Sequence, residues 1–134
     1  MNKKMFLVAI GGKTKDGRYL PDEDIFAIAK NYSTEIYTAG IVYDFNFRST
    51  VVGTVQKLNA ELVDNKAHLY AEVNVSTDLL ETARGWNIPY FFAISYQCGS
   101  AFPSPYLISL ATTPEPSIEG TDVISFPDLA GCLQ

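Results

Sequence analysis

The sequence predicts a strand-rich α+β domain, and three observations support this fold class. Apolar runs of strand length are separated by glycine, asparagine and aspartate turns. Apolar and polar residues alternate along residues 67–75, as they do on a strand with one buried face. Two short segments, 21–31 and 76–83, carry helix-start residues followed by apolar residues at helical spacing. At 134 residues, 47% of them hydrophobic, the chain is expected to form a single domain over residues 1–134.

The N-terminal part of the chain predicts a strand, a turn and a helix. The continuous apolar run over residues 4–10 predicts a strand that is covered on both faces. Asp16-Gly17 predicts a turn. Pro21 suits the first position of a helix that ends near Asn31, and the acids at 22–24 complement its dipole. The apolar residues of this helix share one face: Ile25, Ile28, Ala29 and Tyr32.

The rest of the chain predicts further strands around a second short helix. Asp78 and Glu81 form a capping-box-like pattern for a helix through Ala83, and Gly85 suits its end. A turn at 64–66 joins two of the strands into a hairpin. The predicted strands cover residues 36–44, 51–63, 67–75, 90–97 and 106–111, with an edge strand at 123–126. The element order is β-α-β-β-β-α-β-β, which predicts a mostly antiparallel sheet or barrel with two short helices.

Composition excludes several classes of function. The net charge is −5 and no cluster of lysine and arginine stands out, which argues against nucleic acid and against anionic membrane surfaces as partners. The apolar run at residues 5–10 is too short to span a membrane, which takes about 20 residues, and is a poor signal peptide. We therefore expect a cytoplasmic protein. Cys98 and Cys132 fit neither a zinc site nor a redox motif, so no metal and no cofactor are predicted.

The residues that could carry chemistry are few. A serine or cysteine nucleophile normally needs a base, and His68 is the single histidine. Its place in a predicted hairpin favours an ordinary rim histidine. The acids at 22–24 are better explained as a helix cap than as a metal site. Asp16 and Asp44, each at a strand end, are the best-placed pair of carboxylates for acid–base work, but the spacing does not fix their separation.

Several segments resemble one known family. Lys15-Asp16-Gly17-Arg18 stands between an apolar strand and an acidic helix start. Further segments follow in a matching order: 43–48, 90–97, 106–116 and 120–122. Over residues 4–126 the chain resembles the N-terminal serine peptidase domain of phage capsid scaffolding proteins, the GPO family. The resemblance implies the fold of a prohead-protease domain, without the helical scaffolding region of those proteins.

The resemblance also implies that catalysis has been lost. The family carries an Asp/His/Ser set, of which Asp16 is retained. Phe45 stands at the histidine position, with Asn46 as a second candidate for it, and Ala93 stands at the serine position. Ser95 lies two residues further, on the same strand face. The implied binding surface is a degenerate cleft formed by Asp16, Phe45, Phe47, Arg48, Ala93 and Ser95.

Three hypotheses follow. In the first, a catalytically inactive domain binds capsid, scaffolding or protease subunits of a phage and takes part in, or interferes with, capsid assembly. It would act in the host bacterial cytoplasm or the procapsid interior, with a homodimer left open. In the second, the chain is an active, self-cleaving serine peptidase with Ser95 as nucleophile, His68 as base and Asp16 or Glu72 as orienting group. In the third, it is a small α+β binding module unrelated to phage heads, with a partner-facing patch of aromatics: Tyr37, Tyr43, Phe45 and Phe47.

Overall fold

The structure, a computed structural model, describes residues 4–44 and 50–133. Within these ranges the chain forms eight strands and three helices. They are β1 (Met5–Ile10), β2 (Gly12–Lys13), β3 (Tyr19–Leu20), α1 (Asp22–Asn31), β4 (Gly40–Tyr43), β5 (Gly53–Val63), β6 (Lys66–Val75), α2 (Thr77–Arg84), β7 (Phe91–Gln97), β8 (Tyr106–Thr113) and α3 (Phe126–Ala130). The predicted strand-rich α+β class is confirmed.

One curled sheet dominates the fold. Its six strands lie in the order β1-β6-β5-β4-β8-β7, and β2 and β3 form a separate small hairpin. Neighbouring strands are antiparallel except β4 and β8, which are parallel. The two outer strands approach each other, because Phe6 of β1 and Phe92 of β7 pack edge to face with ring centroids 5.3 Å apart. The sheet is therefore an incomplete barrel, and we call the line where β1 meets β7 the seam.

Bulges decide which residues of two strands point into the core. The register of β1 shifts between Leu7 and Ala9, so both Val8 and Ala9 are buried. The other β1 residues alternate, so the expected burial on both faces holds only in part. In β5 the register shifts after Val55, which places Val55 and Leu58 on the core side together. The alternation of apolar and polar residues along this strand is interrupted at that point.

The hairpin of β5 and β6 follows its sequence signals closely. Asp64 and Asn65 both have positive φ, 51° and 65°, as in the mirror-image turns that match the twist of a hairpin. The predicted turn is confirmed. One face of β6 is fully buried along its length and forms the centre of the core: Ala67, Leu69, Ala71, Val73 and Val75.

Helix α1 is fastened to the sheet at its first residue. It begins at Asp22, with Pro21 as the N-cap rather than as the first helical residue. The Asp22 carboxylate accepts a hydrogen bond of 3.0 Å from the Ala67 N–H. Gly11 donates its N–H to the Ala67 carbonyl at 2.9 Å, and a Cβ at Gly11 would lie 1.9 Å from Asp22 Oδ1. Only glycine fits there, because β1, β6 and α1 meet at this point.

Two predicted elements in the first two-thirds of the chain need correction. The strand expected at 36–44 covers only β4, because Ile36 and Tyr37 form a turn in which both N–H groups donate to the Ser33 carbonyl. Helix α2 is capped by Ser76, whose side chain accepts from the Leu79 N–H, and not by Asp78. It ends with the expected C-cap, Gly85.

The edge strand expected at 123–126 is wrong. Val123 makes a single bridge to Phe91, and α3 then begins at Phe126. Ser125 caps this helix by accepting from the Asp128 N–H at 3.2 Å. The prediction of two helices therefore missed a third. No helix in the described part of the chain is long and apolar enough to cross a membrane.

Candidate binding cleft

A large concavity of the described residues opens along the seam. It has a volume of about 770 Å³, within the range of ligand sites. Its walls come from β7, from the β2–β3 hairpin and from the segment after β8. The residues that line it include Thr14, Arg18, Asp44, Ala93, Ile94, Ser95, Tyr96, Cys98, Glu115 and Thr121. We call this concavity the cleft.

Strand β7 forms one wall and is the last strand of the sheet. Its inner edge pairs with β8, with Ala93 opposite Ala111 and Ser95 opposite Ser109. Its outer edge is paired only at the start, where Val123 lies opposite Phe91. Past that bridge, no described strand pairs with the outer edge, which faces the cleft.

A short piece of chain closes one half of the seam. Residues 121–124, which we call the seam segment, contact both outer strands. Asp122 donates its N–H to the Leu7 carbonyl at 3.0 Å, and its Oδ2 accepts from the Leu7 N–H at 2.9 Å. On the other side, the Ile124 N–H donates to the Tyr90 carbonyl at 2.8 Å. The seam is thus closed beside Phe91 and open beside Ala93.

Thr121 lies at the boundary between the closed and open halves. It lines the cleft and only 8% of its surface is exposed. Its Oγ1 is buried and has no hydrogen-bond partner among the described residues. Such groups usually have a partner, so this buried hydroxyl is an exception among the described residues.

The hairpin wall carries Asp16, held by two residues of the cleft. The Thr14 hydroxyl donates to Asp16 Oδ1, and Arg18 Nε donates to Asp16 Oδ2 at 2.9 Å. The hydrogen bond from Thr14 lowers the pKa of Asp16 below its usual value, and the charge of Arg18 lowers it further. Asp16 is therefore ionised at neutral pH and compensates the charge of Arg18. The Lys15 N–H donates to the Ser117 carbonyl at 2.7 Å, which fixes the hairpin against the segment after β8.

The cleft has an excess of negative charge. Asp44 and Glu115 line it, and among the described lining residues Arg18 is the one cation. Because Arg18 is already paired with Asp16, no described cation that lines the cleft remains to compensate the two lining carboxylates. Asp44 has a φ of 47° and donates its N–H to the Thr112 carbonyl at 3.0 Å, so its position at the end of β4 is fixed.

The structure brings part of the predicted site together. Ala93 and Ser95 line the cleft, and Asp16 contacts Thr14 and Arg18, which also line it. Four residues named from the sequence lie outside the described residues: Phe45, Phe47 and Arg48 of the predicted site, and Asn46. Asp44, the residue before Phe45, lines the same cleft as Ala93.

His68 lies elsewhere on the sheet. On β6 it pairs with Ile10 on one side and Glu61 on the other. Its Nδ1 is 3.1 Å from the Lys66 carbonyl oxygen, and its ring stacks near Tyr70. His68 is not among the described residues that line the cleft, and neither is Glu72. The structure therefore does not bring His68 to Ser95.

Several cleft residues were missed as site residues from sequence, among them Tyr96, Glu115 and Thr121. Burial, followed by the nearby charge of Asp24, raises the pKa of Tyr96 above its usual value. The match of residues 120–122 to the family ending was the one signal that pointed at Thr121. The sequence does not show that the Thr121 hydroxyl lacks a described partner, because this depends on how segments distant in the sequence pack together. The described residues contain no group of three or more histidine, cysteine or acidic side chains arranged to hold a metal ion.

The aromatics of the proposed patch divide between packing and exposure. Tyr37 is 40% exposed, and its ring contacts Phe102 at 5.3 Å and Tyr106 at 6.5 Å. Tyr43 is partly buried against the core, and its hydroxyl lies 3.0 Å from Thr82 Oγ1. Neither tyrosine is among the described residues that line the cleft.

Comparison with known proteins identifies the family. The family described as "GPO serine peptidase, N-terminal domain" matches residues 3–129. The chain belongs to this family. The resemblance inferred from the sequence is thereby confirmed.

A curated relative extends this result. The chain is 27% identical, over an alignment of 144 residues, to the capsid assembly scaffolding protein of Escherichia phage P2. The alignment covers 92% of this chain and 48% of the relative, so the chain spans about half the length of that protein. No solved structure matches the chain.

Proposed function

We propose that this chain is a catalytically inactive member of the GPO family that binds phage head-assembly proteins and takes part in, or interferes with, capsid assembly. The partners would be capsid, scaffolding or protease subunits, met inside the host bacterial cell. Family membership over nearly the whole chain and the scaffolding relative from phage P2 support this function.

The observation that carries the proposal is the side chain at position 93. The resemblance assigns the serine position to Ala93, and Ala93 lines the cleft. A methyl group can neither attack a carbonyl nor form an acyl intermediate. In a well-studied serine peptidase, loss of the catalytic groups lowers kcat by about 10⁶-fold. We therefore expect the cleft to bind a partner without cleaving it.

An active peptidase built on Ser95 receives no support from the geometry. The base must lie within hydrogen-bond reach of the hydroxyl, about 3 Å, or be linked to it by one water. Ser95 lines the cleft, whereas His68 contacts the Lys66 carbonyl and Tyr70 on β6. Binding without cleavage is thus the function that the arrangement favours.

The test is an incubation of the full chain with scaffolding and capsid proteins encoded by the same phage. Products are read on a denaturing gel and complexes by size-exclusion chromatography. We expect co-elution with a head protein and no new cleavage products. Ala93→Arg, which fills the cleft, should abolish co-elution. Ala101→Arg adds the same side chain at an exposed alanine outside the cleft lining and should leave co-elution intact.

Two outcomes would contradict the proposal. Absence of co-elution with every head protein would remove the binding role. Specific cleavage that disappears in both Ser95→Ala and His68→Ala would show a working peptidase with relocated groups. Cleavage that survives both substitutions would come from a contaminating protease, which repurification removes.

A further inference from the structure

We infer that the open edge of β7 binds an extended, basic segment of another polypeptide as an added antiparallel strand. The inference rests on the proposed binding role of the cleft and specifies both the mode of binding and the chemistry of the partner. It follows from the backbone of β7, the path of the seam segment and the charges of the cleft.

The backbone groups of β7 that face the cleft can be identified from one hydrogen bond. The Tyr90 carbonyl accepts from the Ile124 N–H, so the polar groups of Tyr90 point to the outer edge. In an antiparallel sheet these groups alternate between the two edges. The groups of Ile94 therefore also point outward, while those of Ala93 point toward β8. No described backbone group pairs with Ile94 on the outer edge.

The seam segment shows that this edge accepts an antiparallel strand. Val123 lies opposite Phe91, and the same register would place Thr121 opposite Ala93. Gly120, with a φ of 90°, turns the chain away at this point. An added strand would continue along β7 from the place where the seam segment leaves it.

The length of the open edge defines the size of the bound segment. Residues 94–97 of β7 remain beyond the seam segment, which corresponds to about 14 Å at 3.4 Å per residue. The register between β7 and β8 shifts after Ser95, but the extra residue, Ile108, belongs to β8, so β7 itself continues without an inserted residue. A segment of about four residues fits, and strand addition of this kind is a common mode of peptide recognition.

The charge of the cleft determines the chemistry of the partner. The carboxylates of Asp44 and Glu115 line the cleft, and Arg18 is already compensated by Asp16. Lys13, Lys15 and Lys66 line a neighbouring smaller pocket rather than the cleft. A lysine or arginine on the added strand would therefore enter a cleft in which the described carboxylates outnumber the described cations, whereas an acidic side chain would be repelled.

The experiment begins with a random decapeptide library selected on the immobilised full chain. We expect enrichment of lysine and arginine and depletion of proline. The selected peptide, labelled with fluorescein, is then methylated at one backbone nitrogen at a time, and binding is measured by fluorescence polarisation. Strand addition predicts that alternate positions lose about tenfold or more in affinity while the positions between them tolerate methylation. No enrichment, or a methylation profile without this alternation, would overturn the inference.

Protein variants test the same edge from the other side. Ile94→Pro and Ile94→Ala both shorten the side chain, but only proline removes the outward N–H, which an edge strand can spare. We expect Ile94→Pro to bind the selected peptide about tenfold more weakly than Ile94→Ala. Equal binding in two folded variants would contradict strand addition. If circular dichroism shows that Ile94→Pro does not fold, the methylation profile decides the question.

Substitution of the cleft carboxylates tests whether the partner must be basic. Glu115→Gln should weaken binding of the basic peptide by about two- to five-fold, the effect of one exposed ion pair, and more at low salt than at high salt. Unchanged affinity in both Glu115→Gln and Asp44→Asn would contradict the basic preference.

Failure of this inference is distinguishable from failure of the proposed function. Head proteins that co-elute with a chain that selects no peptide would contradict strand addition alone. Peptides that bind with the alternating profile, together with no co-elution of any head protein, would contradict the phage-head function alone.

Discussion

The two halves of the seam are built from the same pair of strands and differ in what lies between them. In the closed half, the seam segment hydrogen-bonds Leu7 on one side and Tyr90 on the other. In the open half, β7 has an unpaired edge, Ala93 carries only a methyl group, and the Thr121 hydroxyl has no partner among the described residues. In the closed half the chain forms hydrogen bonds with its own backbone groups. In the open half the outward backbone groups of β7 have no described partner and are available to another polypeptide.

This difference separates stability from binding within one fold. Contacts in the closed half and at the junction of β1, β6 and α1 involve buried or partly buried groups with defined partners. Contacts in the open half involve an edge strand and exposed charges, which contribute little to folding and are accessible to a partner. Substitutions in the two regions should therefore have separable effects, and the following predictions test this from the largest expected effect to the smallest.

Phe92→Ala should produce the largest loss of stability. Phe92 is 2% exposed and packs edge to face on Phe6, so the substitution opens a cavity where the two outer strands meet. We expect a decrease of about 3–5 kcal/mol in the free energy of unfolding, measured with urea. Phe26→Ala is the control, because Phe26 on α1 is 41% exposed, and its effect should be far smaller. Similar effects of the two substitutions would contradict the packing described for the seam.

Gly11→Ala should be the next most damaging substitution. The new Cβ would lie 1.9 Å from Asp22 Oδ1, so the carboxylate must move and release the buried Ala67 N–H. We expect a cost of about 2 kcal/mol in urea unfolding, the cost of an unsatisfied buried donor. Gly99→Ala, at a glycine with no atom within 4 Å of its added Cβ, should leave stability almost unchanged. A neutral Gly11→Ala would show that Asp22 does not hold β6.

Asp122→Ala should loosen the closed half without unfolding the domain. It removes the acceptor of the Leu7 N–H, with an expected cost of about 1 kcal/mol. Amide hydrogen exchange should become faster at Leu7 and Ile124 and remain slow at Leu69 on β6. Asp122→Asn keeps an acceptor oxygen and should retain most of the protection. Uniform acceleration across the sheet would mean that the seam is not a separate unit.

Thr14→Val should have the smallest effect on stability and a clear effect on titration. The hydrogen bond from Thr14 lowers the pKa of Asp16 below 3.8, so its loss should raise that pKa toward 3.8. A depressed pKa contributes stability above pH 3.8 that disappears as the pH falls through the pKa of the folded state. The carboxyl carbon signal of Asp16 in an NMR titration reports the change. Thr14→Ser keeps the hydroxyl and should leave the pKa low, and equal values in both variants would contradict the assignment.

Elements whose signals lie within a few neighbouring residues could be predicted from the sequence. The helix over 21–31, the hairpin turn at Asp64-Asn65 and the buried face of β6 follow from local spacing and turn chemistry. Elements that depend on a partner strand could not. The bulges after Leu7 and Val55 arise where one strand has a residue more than its neighbour, and a periodic pattern within one strand does not show this.

For the candidate site, the sequence determined the family, the alanine at position 93 and the presence of a single histidine. Only the tertiary structure placed Ala93 and Ser95 in one cleft with Thr14 and Arg18, the partners of Asp16, separated His68 from Ser95, and brought Thr121 and Glu115 to the cleft. Within the described ranges, it also left the outer edge of β7 unpaired beyond Phe91. The physical reason is that residue type and local spacing determine the chemistry available to a side chain. Which other residues it contacts depends on how distant segments of the chain pack when the sheet closes.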